Sequence, residues 1–97
     1  MIFEWDTEKN RSNEKKHSFN FEAASRVFAD PLWVLREDRV VAGEQRWHAI
    51  GIAQQAVLVV VHLYREVTSD GEEIVRIISA REAGSRERRI YLEQAPD

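Results

Sequence analysis

A run of nine residues, AVLVVVHLY from Ala56 to Tyr64, is apolar and largely β-branched and is interrupted only by His62. Successive side chains of a strand point to opposite faces, so a run apolar at consecutive positions is buried on both sides. It belongs in the middle of a sheet, paired with a neighbour on each flank. Ile74 to Ala80, IVRIISA, reads the same way and predicts a second central strand. It runs into Arg81 and then a short helix, for which Ser85 is the N-cap candidate because its hydroxyl can accept from a free first-turn amide. Between Arg76 and Arg89 stand five arginines against two glutamates, a local excess of positive charge in a chain of formal net charge −3.

The rest of the chain supplies what these strands need. Ile2 to Trp5 is long enough for an edge strand or a strap across the core. Asp6 is a helix N-cap, and Glu8 early with Lys15 and Lys16 late carry the signs the helix dipole favours, so Thr7 to Lys16 is a helix. It contains no apolar residue, so core burial cannot drive it, and its flanks Trp5, His17 and Phe19 are expected to hold it. Asn20 caps a second helix whose Phe21, Ala24, Val27 and Phe28 form one apolar stripe, and Asp30-Pro31 ends it. Leu32 to Arg36 is a strand, Glu37 to Gln45 a polar connection, and Trp47 to Ile52 a third strand turned back through Ala53-Gln54-Gln55. Asp70-Gly71 turns the chain into the last strand.

The predicted architecture is therefore α+β: an antiparallel sheet of about four strands packed by two N-terminal helices and one C-terminal helix, in a single domain spanning residues 1–97. With 43% apolar and 32% charged residues this is an ordinary globular composition. The chain has no cysteine, which excludes disulfides and thiolate metal sites. The longest apolar run is too short to cross a bilayer and the acidic start lacks the basic region of a secretory signal, so the expected location is cytoplasmic.

Several segments together point to a known family. FEWD with Lys9, then Asn13, Lys16-His17, Phe21-Glu22-Ala23, VFADP from Val27 to Pro31, GEQR from Gly43 to Arg46, Ala49-Ile50-Gly51, VVVH from Val59 to His62 and RIISAR from Arg76 to Arg81 resemble the BrnT toxin family. The likeness runs from Phe3 to about Tyr91. It implies a RelE-like fold and a ribonuclease toxin of a type II toxin-antitoxin system that stops translation. It also implies a BrnA-like antitoxin partner with a ribbon-helix-helix DNA-binding region, contact with operator DNA only through that antitoxin, and a toxin-antitoxin heterotetramer. Where the family has Lys-His-Gly, this chain has Lys16-His17-Ser18, a change expected to alter the turn after the first helix.

RNA cleavage without a metal or other cofactor requires a base for the 2′-hydroxyl, donors for the phosphorane charge and an acid for the leaving 5′-oxygen. Arg81, at the end of a central strand, is the first candidate for the phosphate, since a planar fork of donors suits it; an ion pair with Glu82 or Glu87 is the structural alternative. His62 is the acid-base candidate from its ordinary pKa, set against a plain packing role. His17 and His48 have weaker cases. Tyr91 is a proton donor, a base-stacking residue or a cover for the sheet, and Glu44 with Arg46 forms either a site with His62 or an ordinary cross-strand pair. Arg76, Arg86, Arg88, Arg89 and Lys16 are expected to bind RNA or the partner. Strand alternation predicts that Arg76 and Arg81 point to opposite faces. The three histidines show no ligand spacing, so no metal site is predicted. The competing reading is a non-catalytic module, an inactive toxin relic or a co-repressor binding an acidic partner or DNA, although no helix-turn-helix signature is present.

Overall fold

The computed structural model describes residues 1–94. Two long strands form its spine: β4 (Ala56–Val67) and β5 (Glu73–Glu82). Around them lie β1 (Ile2–Glu4), β2 (Val34–Val41) and β3 (Glu44–Ala53), giving a five-stranded sheet in the order β1-β5-β4-β3-β2. The two runs apolar on both faces are thus interior strands, as their sequences require. The expectation of about four antiparallel strands falls short by one. β1 pairs parallel to β5, with Ile2 opposite Ile74 and Glu4 opposite Arg76, so the sheet is mixed. Three residues carry little periodic signal, and their partner lies some seventy positions away, so orientation could not be read locally.

The helices are α1 (Thr7–His17), α2 (Phe21–Ser25) and α3 (Ser85–Glu93), with a 3-10 turn over Arg26–Ala29. Asp6 caps α1 by accepting from the Lys9 amide at 3.0 Å, and Asn20 caps α2 by accepting from Ala23 at 2.9 Å. The predicted second helix divides because its last turn tightens into 3-10 geometry before Asp30 turns extended ahead of Pro31. At the third helix the cap is Gly84, not Ser85. The Gly84 amide donates to the Glu87 carboxylate at 2.8 Å, so the first turn reaches back to the cap residue and no hydroxyl caps the helix.

The predicted polar connection from Glu37 to Gln45 is instead most of a hairpin. β2 continues to Val41, and only Ala42 and Gly43 turn the chain, both at positive φ (51° and 81°). The charged residues reflect an edge strand, whose side chains reach water, rather than a loop. The next hairpin turns through Gln54 and Gln55, also at positive φ, as two-residue connections between twisted strands require.

One sheet face packs Leu58 and Val60 of β4, Ile77 and Ala80 of β5 and Ala49 of β3 against Phe21, Ala24 and Val27. At Gly51 a Cβ would stand 2.9 Å from Val27 Cγ1, so only glycine permits this approach. The other face packs Ile50, Val57 and Val59 against Ala83, Ile90 and Tyr91, so α3 covers one end of it. The all-polar α1 is held by two asparagines one turn apart as well as by its flanks. Asn10 accepts from the Phe21 amide at 2.7 Å. Asn13 is buried, donates to the carbonyls of Ala80 and Phe19 at 2.8 Å each, and accepts from the Ala80 amide at 3.0 Å. Its carboxamide therefore completes the ladder of β5 beyond the point where β1 ends.

Candidate functional site

A bulge in β5 decides which side chains meet. Ser79 pairs with Val61 and Ile77 with His62, leaving Ile78 as the extra residue. The alternation shifts by one there, so Arg76, opposite Leu63, points to the same face as Ser79 and Arg81, opposite Val61 and Val59. The expected separation of Arg76 and Arg81 onto opposite faces is overturned by that one residue.

This shared face is the one α3 covers only in part. Arg36 of β2 stands opposite His48 of β3, and Arg36, Glu37, His48, Ile50, Arg86, Glu87 and Ile90 line a cleft of about 210 Å3 between the sheet and α3. Arg81 borders it through Glu87. Its Nη1 and Nη2 donate to the two carboxylate oxygens at 2.8 and 2.7 Å, so the ion-pair alternative weighed for Arg81 is realised with Glu87. The guanidinium hydrogen bonds, with the Gly84 amide and the charge of His48 adding to them, hold the Glu87 carboxyl down at about 2 against the opposing effect of burial. His48 Nε2 lies 3.3 Å from Asp38 Oδ2. Arg46 alternates onto the same face and keeps a buried Nε without a hydrogen-bond partner among the described residues.

The other predicted residues lie elsewhere. His62 has no exposed surface and faces the helices, on the opposite side of β4 from Arg81's partner Val59. Its ring meets Phe28 and Tyr64 edge-on at 5.0 and 5.2 Å, and Nδ1 lies 3.3 Å from the Val60 carbonyl. Burial pushes its pKa down to about 4, so it is a neutral packing residue at pH 7. Arg46 and Glu44 accordingly form no site with His62. Glu44 is exposed at the start of β3 opposite Val41, and the β3 residue beside His62 is Trp47.

Tyr91 is buried, and its hydroxyl donates to Asp30 Oδ2 at 2.6 Å. Burial, reinforced by that carboxylate, pushes its pKa up to about 12. Asp30 also accepts from the amides of Leu32 at 2.9 Å and Ile52 at 2.8 Å, so it ties α3 to the corner between the 3-10 turn and β2. Arg76 donates to Glu4 at 3.0 Å, a carboxylate shared with Arg65. Arg88 and Arg89 are exposed on α3 beside Leu92. Lys16 is exposed at the end of α1, next to a separate cleft with Lys9 and Ser79.

Nothing local in the sequence marks Arg36, and His48 stands out less than His62. The alternation of β3 carries a signal for His48, but Arg36 lies at the end of the strand predicted over Leu32 to Arg36, and its pairing with His48 depends on the hairpin that replaces the predicted connection from Glu37 to Gln45.

These features define a small α+β domain that keeps one sheet face, carrying Arg36, His48, Arg81 and Arg86, open beside its last helix. A family model described as "Ribonuclease toxin, BrnT, of type II toxin-antitoxin system" matches residues 5–87, and the chain belongs to that family. No curated protein matches the sequence. None of the described helices is long and apolar enough to cross a membrane.

Proposed function

We infer that the chain is a metal-independent endoribonuclease whose reaction takes place on the open sheet face. The observation carrying this reading is the cleft where Arg36, Arg86 and His48 meet, with Asp38 3.3 Å from the imidazole and the Arg81 fork at its border. A guanidinium fork matches two phosphate oxygens as it now matches the two oxygens of Glu87, so a scissile phosphate can take over that bidentate contact. His48 then removes the 2′-hydroxyl proton. The 2′-oxygen attacks phosphorus, the P–O5′ bond breaks, and the departing 5′-oxygen takes a proton from the imidazolium so formed or from water. The products are a 2′,3′-cyclic phosphate and a 5′-hydroxyl. Arg36, Arg81 and Arg86 stabilise the charge that develops on the phosphorane. In this account His62 and Tyr91 maintain the fold and Glu44 is a surface residue.

In the cell the reading has the toxin act in the cytoplasm, cut RNA and halt translation. A BrnA-like ribbon-helix-helix antitoxin neutralises it by covering this face, links it to operator DNA, and assembles with it as a heterotetramer. Family membership supports the antitoxin in kind; its type and stoichiometry are part of the proposal. The test is induction of the chain in bacteria lacking an antitoxin, with Arg81→Gln at equal soluble level. Growth arrest by the parent and growth with the variant support the reading. A soluble, folded parent that leaves growth unaffected favours the non-catalytic module, a reading to which the Arg81–Glu87 pair lends support.

A further inference from the structure

The bulge at Ile78 opens a second cleft on the far side of β5. Lys9, Ser12, Lys16, His17, Ile78 and Ser79 line a space of about 260 Å3 between α1 and β5. Lys9, Ser12 and Lys16 recur at helical spacing and present one face of α1 to it. The acidic residues Glu8 and Glu14 line an adjoining groove, together with Arg11, Lys15 and the shared Ser12. Neither Lys9 nor Lys16 has an ion-pair partner among the described residues. The second cleft thus combines two free ammonium groups, two hydroxyls and an imidazole around a half-buried isoleucine, with no carboxylate in its lining.

Its position links it to the first cleft. Ser79 and Arg81 share a sheet face and are two strand residues, about 7 Å, apart. A chain leaving the Arg81 end along β5 passes Ser79 and reaches the two lysines.

We propose that the α1–β5 cleft is a second phosphate-binding subsite, at which Lys9 and Lys16 take a backbone phosphate of the single strand whose scissile phosphate lies at Arg81. Ser12 and Ser79 donate to the same phosphate, and Ile78 offers its apolar side chain to the adjoining ribose or base. The lysines act as point charges, so the subsite is indifferent to sequence and fixes the direction and register of the strand. The proposal rests on the ribonuclease reading and adds an anchor to it.

The test is binding of a fluorescent 2′-O-methyl 12-mer, which cannot be cut, to the full chain and to Lys9→Gln/Lys16→Gln over a range of salt concentrations. Each phosphate contact on a single strand contributes a slope of about 0.7 in log affinity against log salt, so losing both lysines, which share one phosphate, lowers the slope by about 0.7. Weaker binding with that shallower slope, restored by Lys9→Arg/Lys16→Arg, is the expected result. A parent that binds and a Gln variant with unchanged slope and affinity overturn the subsite and leave the ribonuclease reading intact. A parent that does not bind the 12-mer overturns both. A Gln variant that keeps RNA affinity but loses binding to poly-L-glutamate overturns the subsite in favour of an acidic protein partner.

Discussion

Asn13→Ala tests how an all-polar helix can be part of a folded core. The side chain makes three hydrogen bonds, two given to the carbonyls of Ala80 and Phe19 and one taken from the Ala80 amide, and the residue is only 7% exposed. Alanine deletes them all and leaves both backbone groups of Ala80 without partners at a covered sheet edge. An orphaned buried polar group costs about 1–3 kcal/mol. Some water will reach the edge once the carboxamide is gone, so a loss of about 3 kcal/mol is expected. For a domain of this size that corresponds to a fall in Tm of roughly 15 °C. Chemical and thermal unfolding followed by tryptophan fluorescence measures it, since Trp5 and Trp33 pack against the same core. Lys15→Ala, on the exposed side of α1, is the control and should stay within about 0.5 kcal/mol. An Asn13→Ala protein as stable as that control would refute the idea that this carboxamide substitutes for a missing strand.

Three further outcomes follow from single residues. His62 has its pKa depressed to about 4 in the folded state, so its neutral form stabilises the protein fully above the unfolded value near 6.5, and that contribution declines as pH falls from there towards 4. Across that window the parent should lose about 3 kcal/mol, at about 1.4 kcal/mol per pH unit, whereas His62→Met should lose much less; equal slopes in urea titrations would contradict this. Ser18 occupies the left-handed region at φ 70° while closing α1 onto the Glu14 carbonyl, so Ser18→Gly should stabilise by about 1 kcal/mol, read as a higher urea midpoint. Glu87→Gln frees the Arg81 fork from a competing carboxylate; with a partly exposed pair worth about 0.5–1 kcal/mol, uncleavable RNA should bind about twofold to fivefold tighter, and weaker binding would count against a phosphate role for Arg81.

Much of the fold was legible because Ala56 to Tyr64 and Ile74 to Ala80 carry their burial on both faces in their composition. The caps at Asp6 and Asn20 and the stop at Asp30-Pro31 were equally local. What escaped depended on distant pairing. β1 acquires its parallel orientation only from β5, and the second half of β2 looked like a loop because an edge strand tolerates charge. Asn13 gave no sign that its partner was Ala80. The site was harder still. Arg81 was visible as the cationic end of a central strand, but the bulge at Ile78 moves Arg76 onto its face, and no sequence rule marks that position. His62 drew attention because it interrupts an apolar run, and that same run is why it is buried on the helix side. His48, in a plainer segment, reaches the open face.

The proposed reaction places His48 and Arg81 on the open face as base and phosphate donor. The most direct measurement incubates purified parent, His48→Gln, Arg81→Gln and His62→Gln proteins with end-labelled RNA in the presence of EDTA, with product ends and single-turnover rates recorded. The parent should leave 2′,3′-cyclic phosphate and 5′-hydroxyl ends. Losses of about 100-fold or more are expected for His48→Gln and Arg81→Gln, and a rate near that of the parent for whatever fraction of His62→Gln remains folded. Parental cleavage by His48→Gln, or loss of cleavage in folded His62→Gln alone, would contradict the proposed reaction.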